Sequence, residues 1–395
     1  MELKPGYKQT EVGIIPSDWD VRIIRDVCTL INGRGFKPHE WESTGLPIIR
    51  IQNLNGSDDF NYYSGIYNPK IIVENKQLLF AWSGSRGTSF GPHIWGGGKA
   101  LLNYHTWKVD IDVTKIDAFF FFYALRHLTS FIVDAAHGAS ALVHTQKGEM
   151  EQIPLAIPPL PEQRAIAAAL SDTDALLSSL NFLLAKKRDI KQAVMQQLLS
   201  GKKRLQGFSG KWEVKRLEQV AIINMGQSPD SQNYNRIGKG IPLIQGNADI
   251  VSRETMQRVW TTQITKQCDK GDLILTVRAP VGAIAIASQF SCLGRGVCSL
   301  RAVGTDQRFL FYALVFSESA WKVLEQGSTF TSANSAQVAS FRIPIAPKVE
   351  EQTAIADVLF DMDAEIDALT QRRDKTRALK QGMMQELLTG RTRLV

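Results

Sequence analysis

The chain has 395 residues, 44% hydrophobic and 22% charged, the make-up of a folded globular protein with material for two to three domains. No apolar run approaches the roughly 18 to 20 residues of a membrane span, and the opening MELKPGYKQTEVG lacks an apolar signal core, so a cytoplasmic protein is expected. The net charge of +7 leans toward an acidic partner without demanding one. Cys28, Cys268, Cys292 and Cys298 form no CxxC pair and no zinc spacing, which leaves free thiols as the simpler account.

Taken in order, the chain says nearly everything twice. Trp19-Asp20-Val21-Arg22 opens a first copy, and Trp212-Glu213-Val214-Lys215 opens a second. Both continue into an apolar segment that ends near Gly33 or Gly226. Gly45-Leu46-Pro47-Ile48-Ile49 and Gly240-Ile241-Pro242-Leu243-Ile244 read as strands started by turn residues. Leu78-Leu79-Phe80-Ala81 and Leu273-Ile274-Leu275-Thr276 are later strands, each running into a loop with an arginine (Arg86, Arg278) and a glycine (Gly87, Gly282). Phe121 to Leu125 matches Leu310 to Leu314, a short buried helix in each copy. Gly138-Ala139-Ser140 matches Gly327-Ser328-Thr329, and Ile153-Pro154 and Ile343-Pro344 lead into the last repeated stretch.

That stretch is the clearest. Glu162 to Leu205 and Glu351 to Leu394 align without a gap, offset by 189 residues. An apolar seam recurs at spacings of three and four: Ile166, Leu170, Leu177, Leu180, Ile190, Val194 and Leu198, then Ile355, Leu359, Met362, Ile366, Leu369, Leu379, Met383 and Leu387. Thr173, Lys187 and Arg373 interrupt it. No internal Pro follows the start, and Gly201 and Gly390 stand where helix-ending glycines belong. About 39 residues at 1.5 Å rise makes a rod of roughly 58 Å. Acids occupy the first half of each rod and bases the second, so antiparallel pairing sets opposite charges side by side. The expected fold is mixed α/β (α+β): a tandem duplication of a globular domain plus a long helix, the helices pairing as an antiparallel coiled coil with pseudo-twofold symmetry. The expected boundaries are 1–157 and 206–346 for the globular domains, 158–205 and 347–395 for the helical spacers.

Catalytic patterns are missing. Lys99 follows three glycines without the spacing or the Ser/Thr of a phosphate loop, and Gly33-Arg34-Gly35 lacks the third glycine of a dinucleotide fingerprint. All six histidines fall in the first copy, and nothing assembles a nucleophile, base and oxyanion site. The loops instead collect hydrogen-bonding and basic side chains of the kind that grip phosphates or base edges. In the first copy the candidates are Arg34, Lys37, Asn53, Asn55, Ser83, Ser85, Arg86, Lys99, His144 and Lys147, with Trp82 and Trp95 as flat surfaces. In the second they are Gln227, Tyr234, Arg236, Lys239, Gln245, Asn247, Arg278, Arg295, Thr331 and Asn334. The framework matches while Asp58 to Asn68 and Asp230 to Gly238 diverge. Two related sites with different ligands need such divergence; neutral drift after duplication also produces it.

The pattern resembles the specificity subunit of type I restriction–modification systems. The resemblance is carried by VGIIPSDWDV, by IPLAIPPLPEQRAIAAAL and its partner IPIAPKVEEQTAIADVL, and by the rod endings MQQLLSG and MQELLTG. One departure is that Lys348-Val349-Glu350-Glu351-Gln352 has no Pro before its Glu-Gln. The resemblance implies two target-recognition domains, each reading half of a split asymmetric site on double-stranded DNA, with the helices as spacer and as dock for two methyltransferase subunits. It implies no cofactor or metal in this chain. S-adenosylmethionine belongs to the adenine-methylating subunits, ATP and magnesium to restriction (motor-nuclease) subunits, and catalysis to the assembly. Two alternatives remain at this level: a coiled-coil adaptor that binds only proteins, and a nuclease with built-in recognition modules.

Overall fold

The computed structural model describes residues 3–85, 88–135, 142–321 and 332–394. The chain divides into two compact units, Met1–Asn181 with Arg372–Val395, and Phe182–Gln371. Two helices, Leu160–Leu199 and Val349–Leu387, are 40 and 39 residues long, and each gives one half to each unit. Gly201 and Gly390 both take φ +69° just beyond the helix ends. There the Lys203 amide bonds the Gln197 carbonyl, and the Arg391 amide the Glu386 carbonyl, which closes the last turn.

In both units the rods pack antiparallel. In the first, Asp174 meets Lys380 and Thr173 touches Met383, while Glu162, earlier in one rod, meets Arg393, beyond the end of the other. In the second, Lys187 meets Glu365, Lys191 meets Asp363 and Arg204 meets Glu351. The acid-first, base-last pattern is what pairs across. The seam keeps a strict three–four spacing, and this corrects two of its predicted members. Ile190 and Leu379 are 41% and 62% exposed. The register positions beside them belong to Lys191 and Lys380, and Leu184, at 2% exposure, joins the seam.

The Glu-Gln pair that opens each rod has two separate tasks. Gln163 accepts from the Asp117 amide at 2.7 Å and donates to the Lys115 and Pro158 carbonyls, so only a side chain with both donor and acceptor serves. Gln352 repeats this against the Asp306 amide (2.9 Å) and the Ala346 carbonyl (2.8 Å). These bonds bolt the rod to its globular domain. Glu162 and Glu351, both fully buried, instead receive the arginine beyond the other rod's end. The missing proline of the second copy changes neither task, and the helix begins at Val349.

In the first unit two four-stranded sheets run in the orders Gly91–Ile94, Leu78–Ala81, Thr106–Ile111, Cys28–Asn32 and Asn61–Tyr63, Leu46–Ile49, Ala100–Leu102, Ile72–Val73. In the second a six-stranded sheet centred on Leu273–Thr276 and Ile284–Ile286 stands with a five-stranded sheet centred on Ile241–Ile244. A parallel pair recurs in each unit, Leu46–Ile49 with Ala100–Leu102 and Ile241–Ile244 with Ser291–Leu293, and the second unit adds Glu254–Thr255 beside Ile284–Ile286. The predicted strands Leu78–Ala81 and Leu273–Thr276 are buried throughout because alternate residues serve two cores. Leu78 and Phe80 join the cluster with Ile166 and Leu170 of the rod, whereas Leu79 joins Ile48 and Leu101. Leu273 and Leu275 likewise join Ile355 and Leu359, and Ile274 joins Ile244 and Leu293. The matched apolar segments lie in helices Ala118–Ala135 and Gln307–Phe316; the first is longer than the sequence led one to expect.

Candidate nucleic-acid interface

Each unit builds a cleft at the same place with the same backbone bonds. After the first long strand the chain passes Gly33 or Gly226, where a Cβ would stand 2.0 Å from the Asn103 carbonyl oxygen or 2.1 Å from that of Gly294. Only glycine allows that approach. The next amide bonds across, Arg34 to Leu102 and Gln227 to Leu293, both at 2.9 Å. The Asn103 and Gly294 amides bond the Ile49 and Ile244 carbonyls, and the Trp82 and Val277 amides bond those of His105 and Gly296. A shared main-chain frame therefore places Trp41 with Tyr234, Arg50 with Gln245, Tyr104 with Arg295, and Ser83 with Arg278.

On that frame the side chains differ. The first cleft, about 340 Å³, is lined by Phe36, Trp41, Arg50, Gln52, Asn103, Tyr104 and His105. It is aromatic: the Tyr104 and His105 rings lie 3.7 Å apart, and the Arg50 guanidinium sits 4.9 Å from the Trp41 ring. Burial, with the nearby charge of His144 second, holds the His105 pKa below its usual value. Asn103 Oδ1 and His105 Nδ1 are buried without a hydrogen-bond partner among the described residues. The second cleft, about 550 Å³, is lined by Ser228, Asp230, Tyr234, Gln245, Arg278 and Arg295 among others, and is more polar. The Tyr234 hydroxyl donates to the Pro229 carbonyl at 3.0 Å, and the Arg295 amide to Ser228 Oγ at 3.1 Å.

Of the sequence candidates, the second cleft gathers Tyr234, Gln245, Arg278 and Arg295, with Gln227 just past the strand Ala221–Met225, its amide bonded to the Leu293 carbonyl. Arg236, Lys239 and Asn247 are exposed on neighbouring turns, and exposed Asn334 caps the helix Ser335–Ser340 by accepting from the Gln337 amide. In the first unit Ser83 and His144 come together at 3.3 Å, paired across two short strands, with Ser85 exposed on the same strand. Lys37 and Lys99 are exposed, and Lys147 is half-buried with an ion pair to Glu151. Arg34 is committed elsewhere, paired with Glu40 and held 4.8 Å from the Phe36 and Tyr63 rings. Asn53 is also committed. At 7% exposure it accepts from the Arg50 amide and donates to the Ser57 and Asp59 carbonyls, so it shapes the loop below exposed Asn55 instead of reaching outward. Arg86 and Thr331 lie outside the described residues, as do Gly87, Gly138 to Ser140 and Gly327 to Thr329. Sequence reasoning missed Trp41, Arg50, Asn103, Tyr104 and His105. The one signal that could have found them is positional: Trp41, Arg50, Tyr104 and His105 match the second-cleft residues Tyr234, Gln245, Arg295 and Gly296, and Asn103 matches the adjoining Gly294.

Two versions of one reader scaffold, each bolted to an antiparallel pair of helix segments, define a duplicated recognition protein. The chain belongs to the type I restriction modification DNA specificity domain family, whose model matches residues 16–187 and again 209–376. The MjaX type I restriction enzyme specificity subunit of Methanocaldococcus jannaschii is 29% identical over 417 residues, covering 98% of this chain and 97% of its own. The MjaVIII specificity subunit of the same organism is 26% identical over 421 residues, covering 98% and 96%. In fold the chain is similar to the type I restriction-modification S subunit from M. genitalium, with a TM-score of 0.65 and 15% identity over 98% of both chains. It is also similar to a chain from a structure of the type I R-M system, with a TM-score of 0.61, 22% identity and coverage of 95% and 99%.

Proposed function

We propose that this chain is the DNA-specificity subunit of a type I restriction–modification complex. Residues 1–157 and 206–346 each read one half of a bipartite, asymmetric site, and residues 158–205 and 347–395 set the gap and dock two methyltransferase subunits. The observation that carries the reading is the pair of clefts: one set of main-chain bonds carrying unlike side chains is what two readers of unlike half-sites need. The chain supplies address. S-adenosylmethionine would be held by the methyltransferase subunits, and ATP with magnesium by motor-nuclease subunits, in the cytoplasm. Exchanging residues 1–157 for the matching domain of a relative tests this. Methylation profiling of cells carrying the complex should show one half-site changed and the other kept; a change in both, or in neither, refutes it.

A further inference from the structure

We infer that the cleft of the second unit reads a G·C base pair, Arg278 and Arg295 addressing the guanine and Asp230 the paired cytosine. This rests on the DNA-specificity reading above. Arginine matches guanine through O6 and N7 with two parallel hydrogen bonds, and a carboxylate accepts from the cytosine N4 amino group. Most guanidinium groups of this unit are tied to carboxylates, for example Arg253 to Glu318 and Arg301 to Asp272. Arg278 and Arg295 are exposed, line one cleft, and have no side-chain partner among the described residues.

Both are held on fixed backbone. Arg295 lies between Gly294 and Gly296; a Cβ at Gly296 would stand 2.0 Å from the Gln245 carbonyl oxygen, and the Arg295 amide is bonded to Ser228 Oγ. Arg278 follows Val277, whose amide bonds the Gly296 carbonyl, and pairs with Ser332 as an isolated bridge. The backbone beneath both guanidinium groups is thus fixed, so binding need order only their side chains. Asp230 argues against a cleft that merely grips phosphate, because its carboxylate repels phosphate oxygens. Its amide donates to Gln263 Oε1 at 2.9 Å, which fixes its backbone at the rim. The matching positions in the first unit are Ser83, Tyr104 and Lys37, so the first reader lacks this set.

The test uses the full chain expressed with its own methyltransferase subunit. Methylation profiling gives the motif, and exchange of residues 206–346 assigns the half-site this domain reads. That half-site should contain a G·C pair at which 7-deazaguanine, which lacks the N7 acceptor, weakens binding of the mapped duplex roughly tenfold or more. Arg295→Ala and Arg278→Ala should lower affinity for the mapped duplex and lose most of that discrimination, while Asp230→Asn should relax preference for the paired cytosine. The inference is overturned if the half-site has no G·C pair. It is also overturned if the arginine variants weaken every duplex equally and flatten the salt dependence, the mark of phosphate contacts. Absence of any motif or of salt-sensitive DNA binding in the wild-type complex would instead sink the DNA reading itself.

Discussion

Removing Arg393 should cost the first unit more than any surface change, because it strands a buried carboxylate. Glu162 is 0% exposed, and its oxygens accept from Arg393 at 2.5 and 2.8 Å and from the Trp19 indole N–H at 2.9 Å. Deleting one partner of a buried ion pair costs roughly 3–5 kcal/mol. The remaining Trp19 bond argues for the lower end, and the half-exposed Asp18 arm adds only about 0–1 kcal/mol. Arg393→Ala should therefore lose about 3 kcal/mol in urea unfolding followed by far-UV circular dichroism, seen in the transition of the first unit. An internal control comes from the indoles. Trp212 occupies the same place in the second unit, yet its Nε1 has no partner among the described residues. Trp19→Phe forfeits a hydrogen bond to a charge, about 1.5–3 kcal/mol, while Trp212→Phe removes a donor that is already unsatisfied. Equal losses for the two tryptophan variants, or an Arg393→Ala loss below about 1 kcal/mol, would refute the reasoning.

Further outcomes follow from the same geometry. Asp174→Asn leaves Lys380, 6% exposed, without its 2.5 Å ion pair, and should destabilise by roughly 3 kcal/mol; Asp363→Asn, whose partner Lys191 is less buried, should cost visibly less by thermal unfolding. Burial first, with the Asp174 carboxylate adding, pushes the Tyr123 pKa up to about 12 from an ordinary 10. Its folded pKa is raised, so its contribution is full below pH 10 and fades as pH climbs toward 12; a denaturation series should show that fall reduced in Tyr123→Phe. Residues 1–205 alone contain Glu162, Asp174, Lys191 and Arg204, which reproduce the Glu162–Arg393 and Asp174–Lys380 pairs between two copies, although Leu176 stands where Glu365 pairs with Lys187. Sedimentation should find this half-chain as a homodimer, and Arg204→Ala should shift it toward monomer.

Much of the scaffold was legible because it rests on periodicity and repetition. The gapless repeat, the acid-to-base gradient and the two terminal glycines between them dictate long helices that pair antiparallel. The strands at Leu46 and Leu78 were readable from their bounded apolar runs. The errors came where polarity and position diverge. Lys380 sits in the seam because Asp174 and the Tyr123 ring, 5.3 Å away, receive its amine, and nothing local in the sequence announces a buried lysine. Asn53 looked like a base reader by residue type, but its amide is consumed in holding the Ser57–Asp59 turn. Trp41 and Tyr104 carry neither the charge nor the amide that marks a base or phosphate contact in sequence, whereas the first cleft is built on rings. The clefts themselves come from long-range main-chain bonds, such as Gln227 to Leu293, that no window of sequence reveals.

The most direct test of the central claim lengthens both rods together. One heptad inserted at 181/182 and another at 371/372 adds about 10 Å, or roughly three base pairs of duplex, while keeping the seam in register. Methylation profiling of the resulting complex should return the original two half-sites separated by a gap about three base pairs longer. Unchanged spacing, or altered half-sites, would contradict the account.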